Sequence, residues 1–134
     1  MPSKAKKLRL KRRNAGILAD TSVLIKLYRR RLLDAYFFNI SIITVLEFVR
    51  GAKTQREAVQ FLKLLQNLYN IEPIDDHITL VYWEAFRQVR KSIEDNDLLI
   101  GATALAKNYT LWTANEKHFK PLKKLGLKIK AWKD

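Results

Sequence analysis

Five short apolar runs divide the chain: GILAD (16–20), FFNISII (37–43), IEPI (71–74), TLWT (110–113) and LKIKAW (127–132). Longer segments with apolar residues at helical spacing lie between them, and the order strand, helices, strand, helices is an α/β rhythm. After the first run, the pattern of Val23, Leu24 and Leu27 predicts a helix from Thr21 to about Arg30. A second helix is expected from about Val45 to Arg50, closed by Gly51 as a left-handed cap. Thr54 and Glu57 form a capping-box pattern before a helix whose stripe is Val59, Leu62, Leu65 and Leu68. Asp75 or Asp76 caps a helix running to about Lys91. DLLIGATALAKN (97–108) has the small residues that a helix packed tightly on a sheet requires. Trp83 and Trp112 are expected in the core, and His77 on the surface.

Length and composition narrow the class. A chain of 134 residues, 48% hydrophobic and 29% charged, suits one globular domain with a core of its own. The absence of cysteine excludes disulfides, thiolate metal sites and thiol nucleophiles. No apolar stretch is long enough to span a bilayer, and the basic N-terminus leads into no signal-peptide core, so a cytoplasmic protein is expected. The net charge of +13 is uneven: residues 1–13 (MPSKAKKLRLKRR) hold seven Lys and Arg and no acid, about half of the excess. Such a tail repels itself and is expected to be disordered alone, while its charges suit a phosphate backbone. The expected division is a basic tail, 1–13, and one domain, 14–134.

The first apolar run stops for an acid. Asp20 ends a wholly apolar strand, where a carboxylate must be capped, paired or metal-bound to offset its desolvation. In an open parallel sheet, ligands bind outside the carboxyl ends of the strands. Asp20, Glu47, Asp97 and the pair Asn115-Glu116 all fall at such ends or at the helix starts beside them. Clustered carboxylates repel one another, and a hard divalent cation with oxygen ligands, Mg²⁺ or Mn²⁺, resolves that repulsion. Capping is the competing explanation. Thr44-x-x-Glu47 and Thr113-x-x-Glu116 both fit the capping box, and an acid in a first helical turn gains about 0.3–1 kcal/mol from the helix dipole. The constellation contains no Ser/His/Asp set, and EDND (94–97) is no EF-hand because Gly101 is misplaced.

ILADTSVLI (17–25), SIITVLEFVRG (41–51) and DNDLLIGATALAKNYTLWTANEKHF (95–119), in that order and spacing, resemble the PIN-domain family, most closely the VapC toxins of prokaryotic toxin–antitoxin pairs. The likeness covers roughly residues 16–131. It implies a three-layer α/β/α sandwich with a central parallel sheet of four to five strands. It also implies that Asp20, Glu47 and Asp97 are the catalytic acids that bind one or two Mg²⁺ or Mn²⁺ ions. Asn115 stands where the family commonly has a fourth acid; Asn115 itself, or Glu116 beside it, is the candidate to complete the site, unless three acids suffice. Ser22 and Thr113 match hydroxyl positions that orient the acids. His118 replaces a common Asp before the Phe, and is read either as a substrate contact or as incidental.

The expected activity is metal-dependent endoribonucleolytic cleavage of RNA phosphodiester bonds by the toxin of a type II pair, with water as nucleophile. Lys26, Arg29, Arg30, Arg31 and Arg50 are candidate RNA contacts. The resemblance further implies a homodimer and a cognate VapB-like antitoxin. Two alternatives stay open: a housekeeping PIN nuclease of RNA maturation, and an RNA-binding PIN-like protein with weak catalysis.

Overall fold

The computed structural model describes residues 3, 4 and 15–134. Apart from Ser3 and Lys4, the basic tail therefore lies outside the described residues. β1 (Ile17–Ala19) is the centre of a five-stranded sheet. β2 (Asn39–Ser41) and β3 (Asn70–Glu72) lie to one side of it, and β4 (Thr110–Thr113) and β5 (Lys128–Ala131) to the other. The order is β3-β2-β1-β4-β5, with every pairing parallel. The chain winds outward from β1 to β3, then returns to β4 on the opposite flank. The strand order thus reverses between β1 and β4, and a crevice opens beyond their carboxyl ends.

Residues of β1 and β4 alternate between the two faces, as strand geometry requires. Ala19 and Trp112, register partners, enter one apolar cluster; Leu18 and Leu111, also partners, enter the other. The first cluster is filled by α1 (Thr21–Arg29), α2 (Ile42–Val49) and α3 (Gln55–Leu68), through Leu24, Leu27, Val45, Phe48 and Leu65. The second is filled by α4 (Asp76–Val89) and α5 (Asp95–Lys107), with Phe119 from the short α6 (Glu116–Phe119) and Leu122 from the 3-10 turn after it. This is the expected three-layer sandwich, with five strands. Each large side chain buried this way is worth about 1.5–3 kcal/mol.

Small residues let α5 approach its neighbours. A methyl group added at Gly101 would come 2.2 Å from a Leu122 methyl. The helix ends at Asn108, which adopts the left-handed conformation (φ 56°) that an amide side chain tolerates. Asp75 caps α4 by accepting from Ile78 N at 2.8 Å, and Thr54 caps α3 by accepting from Glu57 N at 3.1 Å.

Five expectations need correction. The strand predicted at 37–43 is only Asn39–Ser41, because Ser41 Oγ accepts from Ile43 N at 3.0 Å and starts α2 there. α2 consequently begins at Ile42, not Val45, and burial overrides the strand preference of its two isoleucines. Gly51 is not left-handed; α2 ends at Arg50 in ordinary right-handed geometry. On α3 only Leu65 and Leu68 of the proposed stripe are buried, with Phe61 and Leu64 packed beside them, while Val59 and Leu62 face outward. Trp83 is 53% exposed on α4, its ring covered by the Arg87 guanidinium at 5.1 Å, whereas Trp112 is in the core as expected.

Candidate active site

Asp20 follows β1, and its N–H extends the ladder by donating to Trp112 O at 3.0 Å. Its side chain, in a residue only 4% exposed, is the N-cap of α1: Oδ1 accepts from Val23 N at 3.1 Å and from Ser22 Oγ at 2.5 Å. Oδ2 accepts from Thr113 Oγ1, at the end of β4, at 2.5 Å. Burial pushes the carboxyl above its ordinary range, and the Ser22, Thr113 and Val23 donors pull it back only in part. Among the described residues no Lys or Arg forms an ion pair with it.

Glu47 approaches from α2. Because α2 starts at Ile42, Glu47 lies in its second turn and Thr44 is inside the helix, so the capping-box explanation of this acid does not apply. Its carboxylate reaches across the crevice: Oε1 accepts from Thr21 Oγ1 at 2.6 Å and Oε2 from Asn96 Nδ2 at 3.4 Å. Thr21 has one hydroxyl proton, and Glu47 takes it at the shorter distance. The 3.2 Å contact between Thr21 and the buried Thr44 hydroxyl is then closed by the proton of Thr44. Arg50, one turn further, lies 3.7 Å from Glu47 Oε2.

Asp97 comes from the first turn of α5. Burial raises its carboxyl above the usual range; the imidazole of His118 opposes the rise, and the neighbouring Asp20, Glu47 and Glu94 add to it. His118 Nδ1 stands 3.4 Å from Asp97 Oδ2. Three acids from three elements, distant in sequence, thus meet at Asp97, which feels the charges of both Asp20 and Glu47.

Among the described residues no three acidic or imidazole groups already close around one point. The donor set is nevertheless all oxygen, open to the crevice and braced from behind by hydroxyls and an amide. That suits a hard cation that keeps several of its waters. Asp20, Glu47 and Asp97 fit such an ion.

The remaining candidates separate. Ser22 and Thr113 touch Asp20, and each also bonds to the loop after β4: Ser22 Oγ accepts from Ala114 N at 3.0 Å and Thr113 Oγ1 from Asn115 N at 2.9 Å. Glu116 makes no capping hydrogen bond; its half-exposed carboxylate turns to Lys123 Nζ, 3.2 Å away. Asn115, at the start of α6, borders a cavity beside the acids rather than touching them. Of the basic candidates, Arg50 stands beside an acid and Arg29 borders a hollow that also includes Glu47. Arg30 is engaged elsewhere, pairing with Asp134 at 2.5 Å over the Trp132 ring. Arg31 is exposed in the turn after α1, where its φ is 57°, and Lys26 is half-buried on α1. The sequence reading missed Thr21 and Asn96. Both adjoin an acid it had chosen, and that adjacency was the available signal.

A doubly wound parallel sheet with carboxylates gathered at the β1/β4 crevice makes an α/β fold with an acidic site at its switch point. Residues 17–125 match the PIN domain, and the chain belongs to the PIN-domain family, in its VapC branch. It is 42% identical over 127 residues to Ribonuclease VapC1 of Methanocaldococcus jannaschii, covering 92% of this chain and 93% of that one. Among solved structures it is similar to the VapBC-1 structure from nontypeable Haemophilus influenzae, with a TM-score of 0.73 and 25% identity over 87% of this chain and 97% of that one. A toxin-antitoxin complex from Klebsiella pneumoniae gives a TM-score of 0.63 and 28% identity, over 77% and 89%.

Proposed function

We propose that the chain is an Mg²⁺- or Mn²⁺-dependent endoribonuclease, the toxin of a type II toxin–antitoxin pair. The observation that carries this reading is Asp20: a buried carboxylate, satisfied by hydroxyls and an N–H rather than by a Lys or Arg, whose charge together with that of Glu47 is felt by Asp97. Such an acid is built to remain an oxygen ligand. RNA as substrate is supported by the ribonuclease name of the 42% identical relative. A VapB-like antitoxin is supported by the VapBC structure among its neighbours. A homodimer is what the family resemblance implies, and a cytoplasmic location is the reading from a cysteine-free sequence whose basic N-terminus leads into no signal-peptide core; no helix among the described residues is long and apolar enough to cross a membrane.

Asp20, Glu47 and Asp97 would hold the ion or ions. Held there, the ion would supply Lewis-acid chemistry, activating a water and offsetting charge on the leaving oxygen. Ser22 and Thr113 fix both oxygens of Asp20, so the carboxylate keeps one orientation while RNA binds. Thr21 and Asn96 do the same for Glu47. Arg50, exposed at the rim, attracts the phosphate backbone. No side chain has to act as nucleophile.

The test is cleavage of a mixed structured RNA in Mg²⁺, in Mn²⁺ and in EDTA. Cuts that need the metal support the reading. RNA binding without cuts under any condition would replace it by a non-catalytic binder.

A further inference from the structure

Beside the acids lies a cavity of about 380 Å³ at the carboxyl ends of β4 and β5, bordered by Thr113, Asn115, Lys117, His118 and Trp132. Two of these residues also touch the acids: Thr113 donates to Asp20 at 2.5 Å, and His118 stands 3.4 Å from Asp97. Whatever fills the cavity is therefore adjacent to the crevice. Its volume lies near the lower end of the ~300–1,000 Å³ typical of small-molecule pockets, which suits one nucleoside and not a duplex.

The walls suit a base. Trp132 is held in place by stacking on Trp112 (5.5 Å between centroids, 23° between planes), by the Arg30 guanidinium over its ring and by its indole N–H donating to Asp134. The exposed imidazole of His118 also lines the cavity, and histidine is a side chain on which splayed RNA bases stack, with the fixed Trp132 as an apolar border. Asn115 is fixed at the rim by its backbone: its N–H donates to Thr113 Oγ1 and its carbonyl accepts from His118 N at 3.0 Å. Among the described residues its side-chain amide has no hydrogen-bond partner. An amide offers both donors and an acceptor to a base edge, which a carboxylate at this position could not.

We propose that this cavity seats one nucleobase of single-stranded RNA next to the scissile phosphate, stacked on His118 and bordered by Trp132, with the Asn115 amide reading its edge. The proposal rests on the ribonuclease reading above and adds the origin of its sequence preference.

The experiment has two readouts. In the first, wild type and Asn115→Ala cut a randomised RNA, and the fragment ends are sequenced. The expected result is a base preference at one position beside the cut that falls about tenfold or more in the variant, with flanking positions unchanged. In the second, the four nucleoside 5′-monophosphates are titrated without metal while the Trp132 indole and Asn115 amide signals are followed by NMR. One or two bases should shift both signals in wild type, and Asn115→Ala should lose that discrimination. Wild type that cuts RNA with the same preference as the folded variant overturns the subsite and leaves the nuclease standing. Wild type that never cuts overturns the nuclease reading, and absence of base-selective shifts then removes the subsite as well.

Discussion

Thr113 Oγ1 donates to Asp20 Oδ2 at 2.5 Å across 93 positions of sequence, tying the end of β4 to the end of β1 at the point where the strand order reverses. The bond is entirely buried. It links the sheet's register, Ala19 opposite Trp112, to the orientation of the acid one residue further on. Fold and site are fixed by the same contact.

Replacing Thr113 by Val keeps the shape and removes that donor. Loss of an outer partner of a metal-binding carboxylate costs about 10–100-fold in metal affinity or activity. The fold is expected to lose about 1–3 kcal/mol as well, because Asp20 is left short of a donor where water cannot replace it. Thr113→Ser should restore most of the activity. Cleavage rates against Mg²⁺ concentration, with urea unfolding of the same proteins, check both effects.

Thr21 makes the corresponding contact to Glu47 at 2.6 Å. Thr21→Val should raise the Mg²⁺ concentration needed for half-maximal cleavage by about tenfold or more. A displaced Glu47 has its own signature, since the rate should recover at high Mg²⁺. Failure to recover would show that Thr21 acts otherwise.

Away from the site, Asp75 accepts from the first turn of α4 and pairs with Lys107 at 2.9 Å. The Ile78 N–H and the Lys107 ammonium hold its carboxyl below the usual range. A carboxyl with a lowered folded pKa stabilises above its unfolded value of about 3.9, and loses that contribution as pH falls through the folded value. Asp75→Asn keeps a cap but not the charge. Its melting temperature should therefore lie below that of wild type at pH 6–7, and the gap should narrow below the unfolded value and close as pH falls through the folded one. A gap that persists at pH 2 would contradict the assignment.

Gly101 tests the close packing of α5. Alanine would gain about 1 kcal/mol of helix propensity but drive its methyl into the buried Leu122, and overpacking costs about 1–3 kcal/mol. A net loss is expected in Gly101→Ala by urea unfolding. Adding Leu122→Ala should make the alanine less harmful in that background than in wild type.

Much of this architecture was legible because the strands are short and their boundaries chemical. Asp20 marks the end of β1 by being the first residue that an apolar strand cannot hold, and the small residues of 97–108 announced a tightly packed helix. Where reading failed, tertiary context had overridden local preference. Ile42 and Ile43 look like strand, yet Ser41 caps a helix there because burial against the sheet offsets the β-branched cost. Trp83 looks like core, but its helix turns that position outward and Arg87 covers it. The positions of Asp20, after β1, and Asp97, in the first turn of α5, were legible at a strand end and a helix start, whereas Glu47 lies a turn deeper in its helix than the sequence suggests. Thr21 and Asn96 were not legible, since a hydroxyl or amide beside an acid announces nothing until the chain brings Glu47 against both. The cavity at Trp132 needed β5 in register with β4, a contact between segments that the sequence does not pair.

The central claim is that Asp97 serves metal-dependent cleavage and not stability. It is tested most directly by comparing wild type with Asp97→Asn in RNA cleavage with Mg²⁺ and in thermal unfolding with EDTA. Burial and the charges of Asp20 and Glu47 raise the Asp97 carboxyl more than the His118 imidazole lowers it, so in EDTA the loss of its charge should not destabilise the fold. The account predicts a folded variant, at least as stable as wild type in EDTA, that makes no metal-dependent cuts. A variant that cuts RNA at the wild-type rate, or that loses activity only because it unfolds, would contradict it.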